Sequence, residues 1–212
     1  ATASIGSGWS YLWSSGATTA GITGLPQGLY VVTVTDVNGC TIPSTITLTQ
    51  PTALTQSISA TIYPSGTNIS CFGLSDGNVD LTINGGSPIY SYAWSNGTIT
   101  QDLSNVPAGT YNVTVTDVNG CSIPSSITLI QPTVLTSNVT PFVYPGGFNV
   151  SGCLPDGSID LFVSGGNPGY TYVWSNGSNN QDISLLPADA YSVTVTDLNG
   201  CQTTSAVTLT SP

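Results

Sequence analysis

The sequence of 212 residues contains no lysine, arginine, histidine, glutamate or methionine, and ten aspartates give it a formal net charge of −10. With no cationic side chain to neutralise phosphate, the composition argues against nucleic-acid binding. Attraction to anionic lipid through a basic patch is excluded for the same reason. No apolar run approaches the length of a bilayer span, so we expect no membrane insertion by this segment.

The missing residue types also leave little for catalysis. Without histidine, lysine or glutamate, the chain has no Ser–His pair, no Cys–His pair and no lysine base. Carboxylate pairs remain at Asp76/Asp80 and Asp156/Asp160, but they recur at loop-to-strand boundaries, where Asp-Gly is ordinary turn chemistry. The sequence therefore predicts a protein that is not an enzyme and has no catalytic residues.

A unit of about 80 residues is copied along the chain. The tetrapeptide at 13–16, Trp-Ser-Ser-Gly, recurs as Trp-Ser-Asn-Gly at 94–97 and 174–177. The octapeptide that ends at Cys40 recurs at 114–121 and, with Leu198 in place of valine, at 194–201. Such copying is typical of arrays that build length or present one surface repeatedly. We predict a partial unit at 1–51 and two whole units at 52–132 and 133–212.

Strand signals dominate each unit. Val79, Leu81 and Ile83 alternate with polar residues, and Asn-Gly at 96–97 and 119–120 is a strong hairpin signal. The alternation predicts all-β units, each a seven-stranded antiparallel Ig-like sandwich, joined head to tail. The expected strands of the repeat at 52–132 lie near 53–62, 67–71, 78–84, 89–95, 98–103, 110–117 and 121–130.

The recurrent aromatic residues are predicted to form the cores of these sandwiches. The set comprises Trp13, Trp94 and Trp174 with Tyr30, Tyr111 and Tyr191. Tyr111 and its equivalents look like the tyrosine corner of Ig-like folds. The alternative is a sugar-stacking platform of Trp9, Tyr90, Tyr92 and Trp94, or an ice- or surface-facing array of outward threonines. Solvent exposure of Trp94 and Trp174 would favour the platform.

Five cysteines recur with the unit. In the seven-strand arrangement both cysteines of a whole unit lie at one end of the sandwich, which predicts disulfides Cys71–Cys121 and Cys153–Cys201. Cys40 is then left without a partner, which we expect to lie upstream of Ala1. Five buried free thiols are the alternative, while metal binding by cysteine lacks the usual spacing. Disulfides indicate an oxidising, extracellular setting.

Aspartates are the only candidate metal ligands. Asp76 and Asp117, with Asp156 and Asp197 in the next unit, are predicted near the junction of two units, where carboxylates and backbone carbonyls could hold calcium. The competing interpretation is that Asp117 caps a hairpin and Asp76 shapes a turn. We otherwise expect no cofactor.

Several spaced motifs together resemble the SprB-type repeat. They are Cys71-Phe72-Gly73, Asp76-Gly77, Gly85 to Pro88, Tyr92 to Gly97, Val106 to Tyr111 and Val113 to Cys121. The Tyr-x-Trp-Ser-Asn-Gly segment is also distantly similar to polycystic-kidney-disease-type Ig modules. The resemblance implies surface adhesins of gliding bacteria, export by the type IX secretion route and a role in adhesion or filament building.

Composition, repetition and resemblance together predict a structural or adhesive stalk of a long extracellular filament or adhesin on the bacterial cell surface. The expected partners are neighbouring repeats of the same long chain, or identical chains in a fibre. Two alternatives remain: a fibre subunit completed by strand exchange between chains, and a module that binds surface glycans or ice.

Overall fold

The structure is a computed structural model that describes residues 8–152 and 154–212. Within these residues the chain forms antiparallel β-strands and no helix, so no described helix could cross a membrane. In chain order the strands are β1 Ser10–Trp13, β2 Gly28–Thr35, β3 Thr41–Leu48, β4 Thr55–Ala60, β5 Gly77–Asn84, β6 Tyr90–Trp94, β7 Leu103–Val106, β8 Gly109–Asp117, β9 Ser122–Leu129, β10 Thr133–Pro141, β11 Gly157–Gly166, β12 Thr171–Trp174, β13 Ile183–Leu186, β14 Ala190–Thr196 and β15 Gln202–Thr208.

The chain divides into two compact units, Ala1–Ala53 and Leu54–Pro212. The described part of the first unit holds one sheet, in the order β1-β2-β3. Trp13 and Tyr30 are only half-buried there, so the prediction that they are core residues is wrong. The physical reason is that, among the described residues of this unit, no second sheet packs on the first.

The second unit contains two sandwiches, each built from two three-stranded sheets. The first sandwich has sheets β4-β5-β7 and β6-β8-β9, and the second sandwich has sheets β10-β11-β13 and β12-β14-β15. The all-β, Ig-like fold class is therefore confirmed.

Among the residues that the structure describes, each sandwich has six strands instead of the predicted seven. Residues 67–71 form a loop, in which the amides of Asn68 and Ile69 donate to the Ile130 carbonyl at 2.9 and 3.2 Å. Residues 98–102 also form no strand, and β7 begins only at Leu103. The 95–102 connection matters below, because it returns the chain without forming a strand and leaves β6 and β7 running in the same direction.

Period-2 alternation places the core residues. On β8, Tyr111, Val113 and Val115 are buried and alternate with exposed Asn112 and Thr114. The inward residues of both sheets, together with Trp94, form one apolar cluster, and a second cluster of the same kind surrounds Trp174. Burial of these side chains is the main favourable contribution to the folding of each sandwich.

The indole N–H of the recurrent tryptophan and the hydroxyl of the recurrent tyrosine each donate to a main-chain carbonyl in every copy of the repeat. The Trp94 indole N–H donates to the Thr100 carbonyl at 2.9 Å, and the Tyr111 hydroxyl donates to the Pro107 carbonyl at 2.8 Å. The second bond is that of a tyrosine corner. Tyr30 and Tyr191 make it to Pro26 and Pro187, and Trp13 and Trp174 donate to Thr19 and Asn180.

β7 and β13 depart from simple alternation. Leu103 and Val106 are both buried although they are three residues apart. Asn105, between them, has φ of 55°, and its counterpart Leu185 has φ of 58°. This left-handed residue forms a bulge that turns both neighbouring apolar side chains inward.

Candidate functional site

The most distinctive site of the second unit is where its two sandwiches meet. One side is the junction loop, defined as residues 63–76 of the first sandwich. The other side is the receiving turn, defined as residues 197–201 of the second sandwich. A disulfide between Cys71 and Cys201 joins them, with a Cα–Cα distance of 5.7 Å.

Asp76 organises the junction loop. Its carboxylate accepts hydrogen bonds from the Ser70 amide at 3.2 Å, from the Ser70 hydroxyl and from the Tyr63 hydroxyl at 3.0 Å. Partial burial acts to raise the pKa of Asp76, but these donors outweigh it and hold the pKa below its ordinary value. Ile69, which is completely buried, anchors the loop to the core next to the cysteine.

Asp197 organises the receiving turn. Its Oδ1 accepts from the amides of Asn199 and Cys201, both at 2.9 Å, and its Oδ2 accepts from the Asn167 amide at 2.8 Å. The side chain of Asp197 is only 5 % exposed, so the carboxylate has exchanged water for backbone donors. The turn and the 165–169 loop are thereby fixed relative to each other.

Three side chains of the second sandwich converge on one main-chain carbonyl of the junction loop. The Ser70 carbonyl accepts from the amide nitrogens of Asn167 and Asn199, both at 3.0 Å, and lies 3.4 Å from the Cys201 sulfur. The Asn199 amide also lies 3.0 Å from the Ser65 hydroxyl. The disulfide is therefore one part of a fitted polar contact.

The predicted disulfides Cys71–Cys121 and Cys153–Cys201 are wrong in their partners. Cys71 is bonded to Cys201, 130 residues away, while Cys121 is free and exposed. Cys153 lies outside the described residues.

The reason for this error is the assumption that strand direction alternates throughout. Residues 95–102 return the chain without forming a strand, so β7, which pairs antiparallel with β5, runs in the same direction as β6. β6 pairs with β8 so that Tyr90 faces Asp117, and the Ser87 amide donates to Asp117 at 2.9 Å. The turn that carries Cys121 therefore lies beside the 85–88 loop. The junction loop lies instead beside Ile130, where the chain leaves for the second sandwich. The two cysteines of the first sandwich are consequently at opposite ends.

Cys40 and Cys121 occupy turns of the same construction as the receiving turn. In both cases an aspartate Oδ1 accepts from the cysteine amide, at 2.8 Å for Asp36 and 2.9 Å for Asp117. Both thiols are free and exposed.

The four aspartates predicted to bind calcium lie in two kinds of site. Asp76 and Asp156 lie in equivalent loops, and the amide of Ser151 donates to Asp156 at 2.9 Å and lowers its pKa. Asp117 and Asp197 lie in the cysteine turns. The Ser87 amide, aided by those of Cys121 and Asn119, holds the pKa of Asp117 below its ordinary value.

These carboxylates are thus engaged by N–H and O–H donors, as the turn-shaping interpretation expects. Asp76 and Asp197 lie on the two sides of the junction, whereas Asp117 lies at the far end of its own sandwich. The described residues contain no group of three or more acidic or cysteine side chains that could hold a metal ion. Calcium binding stays a prediction from the sequence, with no such group to support it.

Burial of the tryptophans decides one alternative. Trp94 and Trp174 are 5 % and 2 % exposed, so neither offers an aromatic face to a sugar. The aromatic version of the glycan-binding hypothesis is therefore wrong.

Sequence reasoning also missed the amide contacts of Asn167 and Asn199. The available signal was the Asp-x-Asn-Gly-Cys motif, which had been explained only as a hairpin turn.

The sequence model of one family matches the chain, and it is described as the SprB repeat. It matches residues 65–99 and 153–179, one segment in each sandwich. The first segment includes most of the junction loop and the core strands β5 and β6. A comparison with curated proteins gives no match.

The solved structures to which this chain is similar include two sets of tandem Ig domains and an intimin fragment. The N-terminal eight Ig domains of Down Syndrome Cell Adhesion Molecule are 9 % identical, with 96 % of this chain and 33 % of that chain covered and a TM-score of 0.42. Sidekick-1 immunoglobulin domains 1–5 are 12 % identical, with 96 % and 52 % covered and a TM-score of 0.34. A C-terminal intimin fragment in complex with its translocated receptor is 14 % identical, with 85 % and 57 % covered and a TM-score of 0.32. The chain thus spans between a third and three fifths of these structures.

Proposed function

We propose that this chain, which carries two SprB repeats, is a load-bearing segment of an extracellular bacterial surface filament or adhesin. The proposal includes the finer expectations from the sequence: a non-enzymatic stalk, repeats bounded at 52–132 and 133–212, and export by the type IX route in a gliding bacterium. Possession of SprB repeats and the Ig-like fold support the coarser part, a structural or adhesive role at the cell surface.

The observation that carries the proposal is the covalent junction between the two sandwiches. Cys71 and Cys201 are joined, and the amide groups of Asn167 and Asn199 grip the Ser70 carbonyl beside the bond. Force applied to the two ends of the second unit passes through this disulfide, so the chain between the two cysteines is not extended. A covalent force path of this kind suits a stalk that must transmit force without lengthening.

Single-molecule stretching of the full chain, held by its two ends, tests the load-bearing role. Under oxidising conditions, unfolding should release only the residues outside the Cys71–Cys201 bond. After reduction, the 130 residues of sequence separation should add about 430–470 Å of extended chain. A released length that does not change on reduction would contradict the role.

Location is tested separately. An antiserum against the chain should label intact cells of the source bacterium, and protease added outside the cells should remove the signal. Labelling that requires permeabilised cells would overturn the proposal of a surface protein, whatever the stretching experiment shows.

A second candidate, assembly of a fibre by strand exchange between identical chains, is favoured by the first unit. Trp13 and Tyr30 are half-buried on a single sheet, whereas their equivalents Trp94 and Tyr111 are buried between two sheets. Strands from another chain could cover this face. Light scattering across a concentration series should then show growing particles, and replacement of Trp13 by serine should abolish growth. A monomer at all concentrations would reject this candidate.

A further inference from the structure

We infer that the turn carrying Cys121 is a second receiving turn, which takes the junction loop of another SprB repeat and closes a disulfide with it. The inference deepens the proposed structural role and rests on it in one respect: the partner is another repeat of the same kind. It concerns residues 117–121 and the neighbouring 85–88 loop of the first sandwich.

The first line of support is identity of construction. In the occupied turn, Asp197 caps the amides of Asn199 and Cys201 at 2.9 Å. In the unoccupied turn, Asp117 caps the amides of Asn119 and Cys121 at 3.0 and 2.9 Å. The second carboxylate oxygen also accepts from the neighbouring loop in both cases, from Asn167 and from Ser87. The backbone that presents the cysteine is therefore the same.

The second line of support is what the asparagine does in each turn. The Asn199 amide reaches across to Ser65 and to the Ser70 carbonyl of the junction loop. With no loop in place, the Asn119 amide instead lies 2.6 Å from the Ser87 hydroxyl of its own sandwich. A rotation of this one side chain would free both of its N–H groups for an incoming loop.

The third line of support is the thiol itself. Cys201 is bonded, whereas Cys121, at the equivalent position, is free and exposed. The one cysteine among residues 1–53, Cys40, lies in a turn of the receiving kind. The matching group is a cysteine that directly follows a serine in a junction loop, as Cys71 follows Ser70.

The chemistry is thiol–disulfide exchange with an oxidised small thiol such as glutathione disulfide. The thiolate of the incoming loop cysteine attacks glutathione disulfide and forms a mixed disulfide, releasing one glutathione. The Cys121 thiolate, having lost its proton to water, then attacks the loop sulfur and releases the second glutathione. Two protein thiols and one glutathione disulfide thus give one protein disulfide and two glutathiones.

The test uses two versions of the full chain. The acceptor carries Cys40→Ser and Cys153→Ser, which leaves Cys121 as its one free thiol. The donor carries Cys40→Ser, Cys121→Ser, Cys153→Ser, Cys201→Ser and Asn199→Ala, which releases its junction loop and leaves Cys71. In a glutathione redox buffer, the two should form a disulfide-linked heterodimer through Cys71 and Cys121.

A matched acceptor separates a fitted site from a merely exposed thiol. It carries Cys121→Ser and Ser126→Cys, which moves the thiol to an exposed position on β9. We expect the heterodimer yield at Cys121 to exceed that at position 126 at least tenfold at the same glutathione ratio, a ratio worth about 1.4 kcal/mol of docking. Asn119→Ala in the Cys121 acceptor should lower the yield severalfold. Equal yields from all three acceptors would overturn the inference.

Because the donor could be unstable, a synthetic peptide of residues 63–76 serves as a second donor. Its Cys71 is first converted to the mixed disulfide with glutathione. It should rank the three acceptors in the same order, and no preference for Cys121 with either donor would contradict the inference. Surface labelling of cells does not depend on this outcome, so failure of the inference and failure of the proposed function are distinguishable.

Discussion

Cys71 and Cys201 are bonded to each other across 130 residues of sequence, and each belongs to a different sandwich. Both sulfurs are presented by aspartate-organised segments, one around Asp76 and one around Asp197. The junction is therefore built from two prepared surfaces that the disulfide joins, and its parts can be removed one at a time.

Removing the disulfide should destabilise the second unit. Closing a loop of this length contributes about 5 kcal/mol in the chain-entropy account of disulfides. We expect Cys71→Ser and Cys201→Ser to lower the free energy of unfolding by similar amounts, up to that value, with no further loss in the double variant. Urea unfolding followed by tryptophan fluorescence measures this. Cys121→Ser is the control, and a loss in that variant equal to that of Cys71→Ser would contradict the assignment.

The junction loop should respond to acid through Asp76. Its folded-state pKa lies below the ordinary value of 3.8, so the ionised carboxylate stabilises the fold above that value. This contribution is lost as the pH falls through the lower, folded-state pKa. The free energy of unfolding should therefore drop more between about pH 5 and pH 2 in the native chain than in Asp76→Asn.

The control for acid sensitivity is Asp80→Asn, because Asp80 is an exposed aspartate on the neighbouring strand β5. The Asp80 variant should keep the acid sensitivity of the native chain. Identical pH profiles for the native chain and Asp76→Asn would show that Asp76 does not organise the loop.

The equivalent bulges of β7 and β13 carry different residues at the same left-handed position, so exchanging those residues tests the backbone strain. Asn105 and Leu185 share the left-handed conformation, which asparagine tolerates better than leucine, and the Leu185 side chain is 77 % exposed. Leu185→Asn should raise the free energy of unfolding by about 1 kcal/mol, and Asn105→Leu should lower it by a similar amount. Thermal unfolding of both variants provides the measurement, and a destabilising Leu185→Asn would refute the strain argument.

The fold class could be predicted from the sequence because its signals are local. Alternation on β8 and the repeated Trp-Ser-Asn-Gly turn each depend on a few neighbouring residues, and they led to Ig-like sandwiches. The tyrosine corner at Tyr111 could be predicted for the same reason, since its hydroxyl donates to a carbonyl only four residues away.

The disulfide partners could not be predicted because they depend on which end of a sandwich each loop occupies. Residues 98–102 look like a strand by composition, but they form the loop that receives the Trp94 indole N–H at the Thr100 carbonyl. Because this loop returns the chain without forming a strand, β6 and β7 run in the same direction, and the assumption of strict alternation placed Cys121 at the wrong end. The contacts of Asn167 and Asn199 were hidden for a related reason, because they exist only between two copies of the unit.

The central claim, that the disulfide joins two sandwiches, is tested most directly by disulfide mapping. Trypsin is useless because the chain has no lysine or arginine, but Asp-N with chymotrypsin separates all five cysteines, since an aspartate or aromatic residue lies between each neighbouring pair. Mass spectrometry of the unreduced, thiol-blocked digest should find one peptide pair that joins Cys71 to Cys201. A pair that joins Cys71 to Cys121 would contradict the account.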